Sequence, residues 1–248
     1  MDLRPYRADL HIHTCLSPCG ELTIYPSRIV ERALEEKLDM VAVTDHNSAE
    51  NAAAVLQAAE RSGLVAFPGM EITTEEEVHI LAIFRDLPAV LPFQEEVFRA
   101  LPEAPARNPF RRNQVLVDAE DAVTGFSPHF LMGAARLTIQ ETVRLIHRAG
   151  GLAIASHIDR EAFGLISQLG FVPGDLDLDA LEVSPLMEIA GARAAFPSAA
   201  GRPLVKFSDA HRPEEVGLAA TEFLLASPSF DEIGMALRRA NGRRILEP

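Results

Sequence analysis

Cysteine is scarce in this chain. Cys15 and Cys19 are the only two in 248 residues, too few for a disulfide framework and in keeping with a reducing compartment. No run approaches the roughly 18 apolar residues that a membrane span requires, and Met1-Asp2-Leu3-Arg4-Pro5 lacks the apolar segment of a secretory leader. These absences predict a cytoplasmic protein with no membrane partner. Positive charge is short as well: 23 Lys and Arg face 36 Asp and Glu, a net charge of −13, and the one basic cluster is the stretch Arg107 to Arg112. Counterion release on duplex nucleic acid needs clustered cations, so the expected partner is a small phosphorylated molecule and no duplex, with metal ions supplying the local positive charge. With 48% hydrophobic and 24% charged residues, disorder, collagen and coiled coil are excluded.

What is present is alternation. Short apolar runs predict strands at Ala8 to His13, Met40 to Thr44, Leu64 to Phe67, Val78 to Phe84, Leu152 to Ser156, Ala180 to Ser184, Leu204 to Ser208 and Thr221 to Leu225. Helical spacing marks Pro26 to Lys37, Ala49 to Ser62, Thr138 to Ala149 and Ser229 to Asn241. Thr138 with Glu141 and Ser229 with Glu232 read as capping boxes, and Gly150 and Gly242 as helix C-caps. Strand then helix, repeated, predicts an α/β fold with a mostly parallel sheet closed or nearly closed into a barrel; an open doubly wound sheet is the alternative. Residues 1–248 read as one domain. The stretch from about 88 to 137, rich in Pro, Arg and Asn, reads as an insertion above the barrel mouth after the fourth strand.

The eight histidines carry the chemistry. In Asp9-Leu10-His11-Ile12-His13, strand alternation puts Asp9, His11 and His13 on one face, where two imidazoles can grip one cation. Asp45-His46, His157 and Ser208-Asp209-Ala210-His211 each follow an apolar run, at the strand end where parallel barrels build active sites. Glu71 follows the third run, and His79 enters the fourth. Any one of these could be a capping or core residue. Five separate segments delivering His or acid to matching strand ends predict a metal cluster, and the donor set suits Zn, Mn or Fe over Ca or Mg.

The motifs Asp9-Leu10-His11-Ile12-His13-Thr14, Val43-Thr44-Asp45-His46-Asn47, Gly69-Met70-Glu71, His157 and Ser208-Asp209-Ala210-His211 resemble those of the PHP (polymerase and histidinol phosphatase) superfamily. The resemblance implies a distorted (β/α)7, TIM-like barrel and a phosphoesterase centre of two or three divalent ions. It implies that His11, His13, Glu71 and Asp209 hold one metal, that Glu71 bridges to a second held by His79 and His157, and that His46 and His211 hold a third. Asp45, Glu71 and Asp209 are then the acids of the catalytic centre. Where many family members read Ser-Asp-Gly, this chain reads Ser17-Pro18-Cys19-Gly20. Cys19 therefore either supplies a thiolate ligand or is a small, buried, inert thiol.

Paired ions lower the pKa of a shared water toward about 7 and neutralise phosphoryl oxygens, which predicts a metal-bridging hydroxide as nucleophile. Asp45, and in the first motif Asp9, would orient metal ligands. Arg160 and Arg212 are candidates for gripping the phosphate, and Arg107, Arg111 and Arg112 for reaching over the site. The expected enzyme hydrolyses the phosphoric ester of a nucleotide or oligonucleotide end. A histidinol-phosphate or sugar phosphatase and a non-catalytic metal-binding module are the alternatives. A metal-dependent amidohydrolase would call for a lysine ligand at a strand end, and neither Lys37 nor Lys206 is so placed.

Overall fold

A computed structural model describes residues 2–105, 107–110 and 112–246. Four strands come first: β1 (Arg4–Ile12), β2 (Met40–Val43), β3 (Val65–Thr73) and β4 (His79–Ile83), with helices α1 (Pro26–Glu35) and α2 (Ala52–Ser62) between the first three. Helix α3 (Leu87–Ala100), the hairpin of β5 (Val115–Val117) and β6 (Val123–Phe126), and helix α4 (Ile139–Arg148) follow. The remainder is β7 (Leu152–Ala155), α5 (Leu165–Leu169), β8 (Ala180–Val183), α6 (Ile189–Ala195), β9 (Leu204–Lys206), β10 (Thr221–Leu225), α7 (Phe230–Leu237) and β11 (Arg244–Leu246).

The main sheet runs β11-β10-β1-β2-β3-β4-β7-β8-β9. Ile12 bridges Ala210 in parallel and the His13 N–H donates to the Ala210 carbonyl at 2.9 Å, which closes β9 back onto β1 at the mouth. Strands such as Met40-Val41-Ala42-Val43 and Leu152-Ala153-Ile154-Ala155 are buried on both faces, as parallel strands covered by helices must be. Their residues divide by parity. Val41, Val43, Ile72 and Ile80 pack outward into the layer beneath the helices. Leu10, Met40, Ala42, Leu81, Ile83, Ile154, Val205 and Phe207 pack together inside, where Phe230, Ile233 and Leu237 of α7 join them.

One strand breaks the expected parallel rhythm. β4 is antiparallel to both β3 and β7. The turn Thr74 to Val78 makes the β3–β4 connection a hairpin with no helix, and at the far end of that strand pair Gly69 is required because a Cβ there would lie 2.6 Å from the Ala82 carbonyl oxygen. The reversal brings His79, at the start of β4, to the same mouth as the ends of the other strands.

Three smaller expectations are corrected. The stretch from about 88 to 137 is not irregular throughout, because residues 87–100 form α3, whose N-terminus Asp86 caps by accepting from the Ala89 N–H at 3.0 Å. Described residues beyond α3 lie over the mouth: the Val115 N–H bonds the Cys15 carbonyl, and the Asn47 amide donates to Leu131 and Gly133. Thr138 and Glu141 form their capping box, whereas Ser229 makes no side-chain cap and the Glu232 carboxylate accepts from the Ala226 N–H and from Arg243. Gly150 adopts positive φ after α4, but Gly242 sits in a later turn, since α7 ends at Leu237.

Candidate metal centre

The inner face of the barrel is apolar at its base and ionisable at its mouth. Glu71 stands at the centre. Its Oε1 lies 3.0 Å from His79 Nδ1, 3.2 Å from His157 Nε2 and 3.4 Å from His11 Nε2, and its Oε2 lies 3.1 Å from His46 Nδ1 and 3.5 Å from His13 Nε2. Asp209 Oδ1 is 3.2 Å from His11 Nε2 and 3.1 Å from His13 Nε2. Those two imidazole nitrogens are themselves 3.2 Å apart.

The donors fall into three groups with all ligand atoms within 4.8 Å of one another: His11, His13, Glu71 and Asp209; His46, Glu71 and His79; and His13, His46 and His211. Seven of the eight expected ligands fall in these groups, and the eighth, His157, reaches Glu71 Oε1 with its Nε2. The grouping differs from the expected one in two respects: His46 stands beside Glu71 and His79 as well as beside His211, and His157, expected with His79 on the second ion, falls in none of the three groups. His157 and Asp209 hold left-handed backbone, φ 25° and 51°, conformations that carry strain and recur where side chains are aimed at a site.

Hydrogen bonding does not account for this crowding. Glu71 Oε1 and His79 Nδ1 are buried without a hydrogen-bond partner although 3.0 Å apart, and His157 Nδ1 is buried and unpartnered too. Buried polar atoms of that kind are costly unless something else satisfies them. Nitrogen and carboxylate lone pairs converging on common points are the donor set of a divalent cation, so these residues fit the expected metals. Burial alone would raise the Glu71 pKa, but the imidazoles of His79 and His11 hold the carboxyl well below its usual range.

Supporting residues surround the donors. His11 Nδ1 faces Glu182, at 2.9 Å from Oε2 and 3.1 Å from Oε1, and the same carboxylate accepts the His157 N–H at 3.3 Å. Glu182 is fully buried within the apolar run Ala180-Leu181-Glu182-Val183, and no motif in the sequence marks it as a partner of His11. Asp45 accepts from the Thr14 N–H and hydroxyl, each at 2.7 Å, and from the Ser17 hydroxyl at 2.6 Å. Ser17 Oγ in turn lies 2.9 Å from His13 Nδ1 and accepts the His46 N–H at 3.1 Å.

Asp9 does not share the face of His11 and His13. A register shift between Asp9 and Ile12 puts an extra residue into β1, and the Asp9 carboxylate accepts from Ser208 at 3.0 Å and Gly217 at 2.9 Å, tying down the loop that carries Asp209. Burial lifts its pKa to about 6 against those hydrogen bonds.

Cys19 is exposed, not buried. Its Sγ lies 3.1 Å from His46 Nε2, and although partial burial opposes ionisation, hydrogen bonds from His211 and His46 bring the thiol down to about 6. Cys15 is buried and pushed up to about 12. Arg160 lines the cavity, with Nη1 2.6 Å from Asp209 Oδ2. Arg212 does not line it: the side chain is 61% exposed and pairs with Glu21 at 3.1 Å. Arg111 lies outside the described residues. No helix among the described residues is long and apolar enough to cross a membrane.

Residues 9–168 match the PHP domain family, and residues 200–241 match the PHP-associated family. The 5'-3' exoribonuclease Rnm of Escherichia coli (strain K12) is 35% identical over 135 residues, 52% of this chain and 42% of that protein. The chain therefore spans less than half of that relative. Among solved structures, the lesion-specific endonuclease PfuEndoQ from Pyrococcus furiosus superposes with a TM-score of 0.75 at 20% identity, over 98% of this chain and 58% of that one. Endonuclease Q in complex with a 27-mer duplex carrying an abasic lesion superposes with a TM-score of 0.71 at 18% identity, over 97% and 58%. The last of these overturns the exclusion of duplex nucleic acid, since the same fold is seen on a duplex. Net charge describes the whole surface, whereas a backbone phosphate meets the local field at the mouth.

Proposed function

The chain belongs to the PHP domain family, and from that premise we propose that it is a metal-dependent phosphoesterase acting on nucleotides and the ends of nucleic-acid strands. The observation that carries this reading is Glu71 Oε1, buried without a hydrogen-bond partner among three imidazole nitrogens at 3.0 to 3.4 Å.

In this reading His11, His13, Glu71 and Asp209 hold one ion, and Glu71 reaches to a second held by His79 and His157. His46 and His211 take part in a third site. Bound divalent ions supply Lewis acidity toward phosphoryl oxygens and lower the pKa of water at neutral pH. The protein's own groups then set geometry and charge. Glu182 keeps a proton on His11 Nδ1, so that Nε2 presents its lone pair to the centre. Ser17 receives the Nδ1 proton of His13 while donating to Asp45, with the same result for His13. Arg160, 43% exposed at the rim of the cavity, offers a planar fork of donors to a phosphate.

The deciding experiment measures phosphate and nucleotide release from 5'-phosphorylated oligonucleotides, mononucleotides and sugar phosphates with Mn or Zn. Turnover on the nucleic-acid substrates, abolished in Glu71→Gln and by chelation, is expected. Turnover confined to sugar phosphates would move the chain to the sugar-phosphatase class. Stoichiometric metal binding with no hydrolysis would make it a binding module.

A further inference from the structure

We propose that Cys19, His46 and His211 form a thiolate–imidazole cation site that selects a thiophilic ion such as zinc, chemically distinct from the carboxylate end of the pocket at Glu71 and Asp209. The inference deepens the metal-pocket reading above and rests on it.

His13, His46 and His211 already hold three ring nitrogens within 4.8 Å of one another. The His13 ring stacks on His211 at 4.2 Å between centroids and lies 4.6 Å from His46. No carboxylate belongs to that group, so on its own it offers only neutral donors. Cys19 supplies what is missing: Sγ is 3.1 Å from His46 Nε2, and the side chain lines the same cavity as His46 and His211. His46 serves both ends of the pocket, with Nδ1 3.1 Å from Glu71 and Nε2 at the thiol.

The backbone fixes this placement. The Glu21 N–H bonds the His211 carbonyl at 2.9 Å, lacing the Cys19 loop to the His211 loop, and the Gly20 N–H closes a turn onto Ser17 at 2.8 Å. A Cβ at Gly20 would lie 2.8 Å from the Thr14 carbonyl oxygen, so the residue after Cys19 must be glycine for the turn to sit this close to β1. Sulfur and imidazole donors favour zinc-type ions, whereas a site with two carboxylates accommodates manganese or iron.

The test strips the full chain of metal, titrates it with cobalt(II) and records the absorption spectrum. The expected result is a sulfur-to-cobalt charge-transfer band in the near ultraviolet that saturates with one equivalent and is displaced by zinc. The band should persist in Cys15→Ser and vanish in Cys19→Ser, with bound zinc falling by one ion per chain. Cys19→His should restore the ion count without the band. Circular dichroism melting confirms that each variant is folded. A band unchanged in folded Cys19→Ser, no band in the parent despite cobalt uptake, or full zinc content in Cys19→Ser would each overturn the inference. Phosphate release by the parent is scored separately. A missing band with intact hydrolysis sinks only this site, and a band without hydrolysis sinks only the phosphoesterase reading.

Discussion

Glu182 is fully buried, and both of its oxygens lie on His11 Nδ1 at 2.9 and 3.1 Å. A carboxylate so placed fixes the imidazole tautomer and strengthens the nitrogen that faces the metal. Replacing it by the isosteric amide removes the charge without opening a cavity. Glu182→Gln is therefore expected to weaken metal affinity about 10- to 100-fold while the fold persists. Competition titration against a chelating dye measures this, and unchanged affinity would refute the orienting role. Asp45 acts one atom further out, through Ser17 on His13 and not directly on the His46 ring. Asp45→Asn swaps one acceptor oxygen for a donor and disturbs that relay, so a loss of metal affinity of roughly tenfold is expected by the same titration. The ligands were legible because histidines paired at i, i+2 or set beside an acid at strand ends are unusual in a core. Glu182 was not, because one acid in a four-residue apolar run looks like a strand boundary, and only the fold reveals that it faces His11 across the barrel.

Between elements, the sequence pattern carried the strands well and their directions poorly. Apolar runs report burial, which parallel and antiparallel neighbours share, so the reversal of β4 left no mark in composition and shows only in its register with β3 and β7. Helix α3 opens the Pro-rich stretch that reads as an insertion, and Pro88 and Pro92 obscure its helical pattern. Pro88 falls in the first turn, where a missing N–H is harmless, and Pro92 is tolerated inside the helix. His147, which matched no motif, has a structural use: from α4 its Nε2 meets Asp179 at 2.9 Å, and Asp179 also accepts the Ala153 N–H of β7 at 2.9 Å. The hydrogen bond to Asp179 raises the His147 pKa, against partial burial. A group whose pKa is higher when folded stabilises the protein below its unfolded value, near 6.5, and loses that contribution as pH rises through the folded value. His147→Gln should consequently lower the melting temperature more at about pH 5.5 than at about pH 9. An equal loss at both pH values would show that the contact matters only through packing.

The donors that meet at Glu71 come from β1, β3, β4 and the loops after β2, β7 and β9, positions spread from residue 11 to residue 211. An unfolded chain cannot bring them together, so an ion bound at the centre acts on folding as well as on chemistry. At a free concentration 100 times its dissociation constant, a ligand that binds only the native state adds about 2.7 kcal/mol. For a chain of this length each kcal/mol corresponds to about 2–4 °C in melting temperature. Without ions the same pocket leaves Glu71 Oε1, His79 Nδ1 and His157 Nδ1 buried with no hydrogen-bond partner, which destabilises the native state. Chelation is therefore expected to lower the melting temperature by several degrees, and Mn or Zn to restore it. Glu71→Gln should lose most of that metal-dependent rise, because its carboxylate stands within 3.5 Å of five imidazoles. Scanning calorimetry of both proteins, with chelator and with each metal, decides the matter: a Glu71→Gln protein that keeps the full shift would mean the stabilising ions bind elsewhere on the barrel.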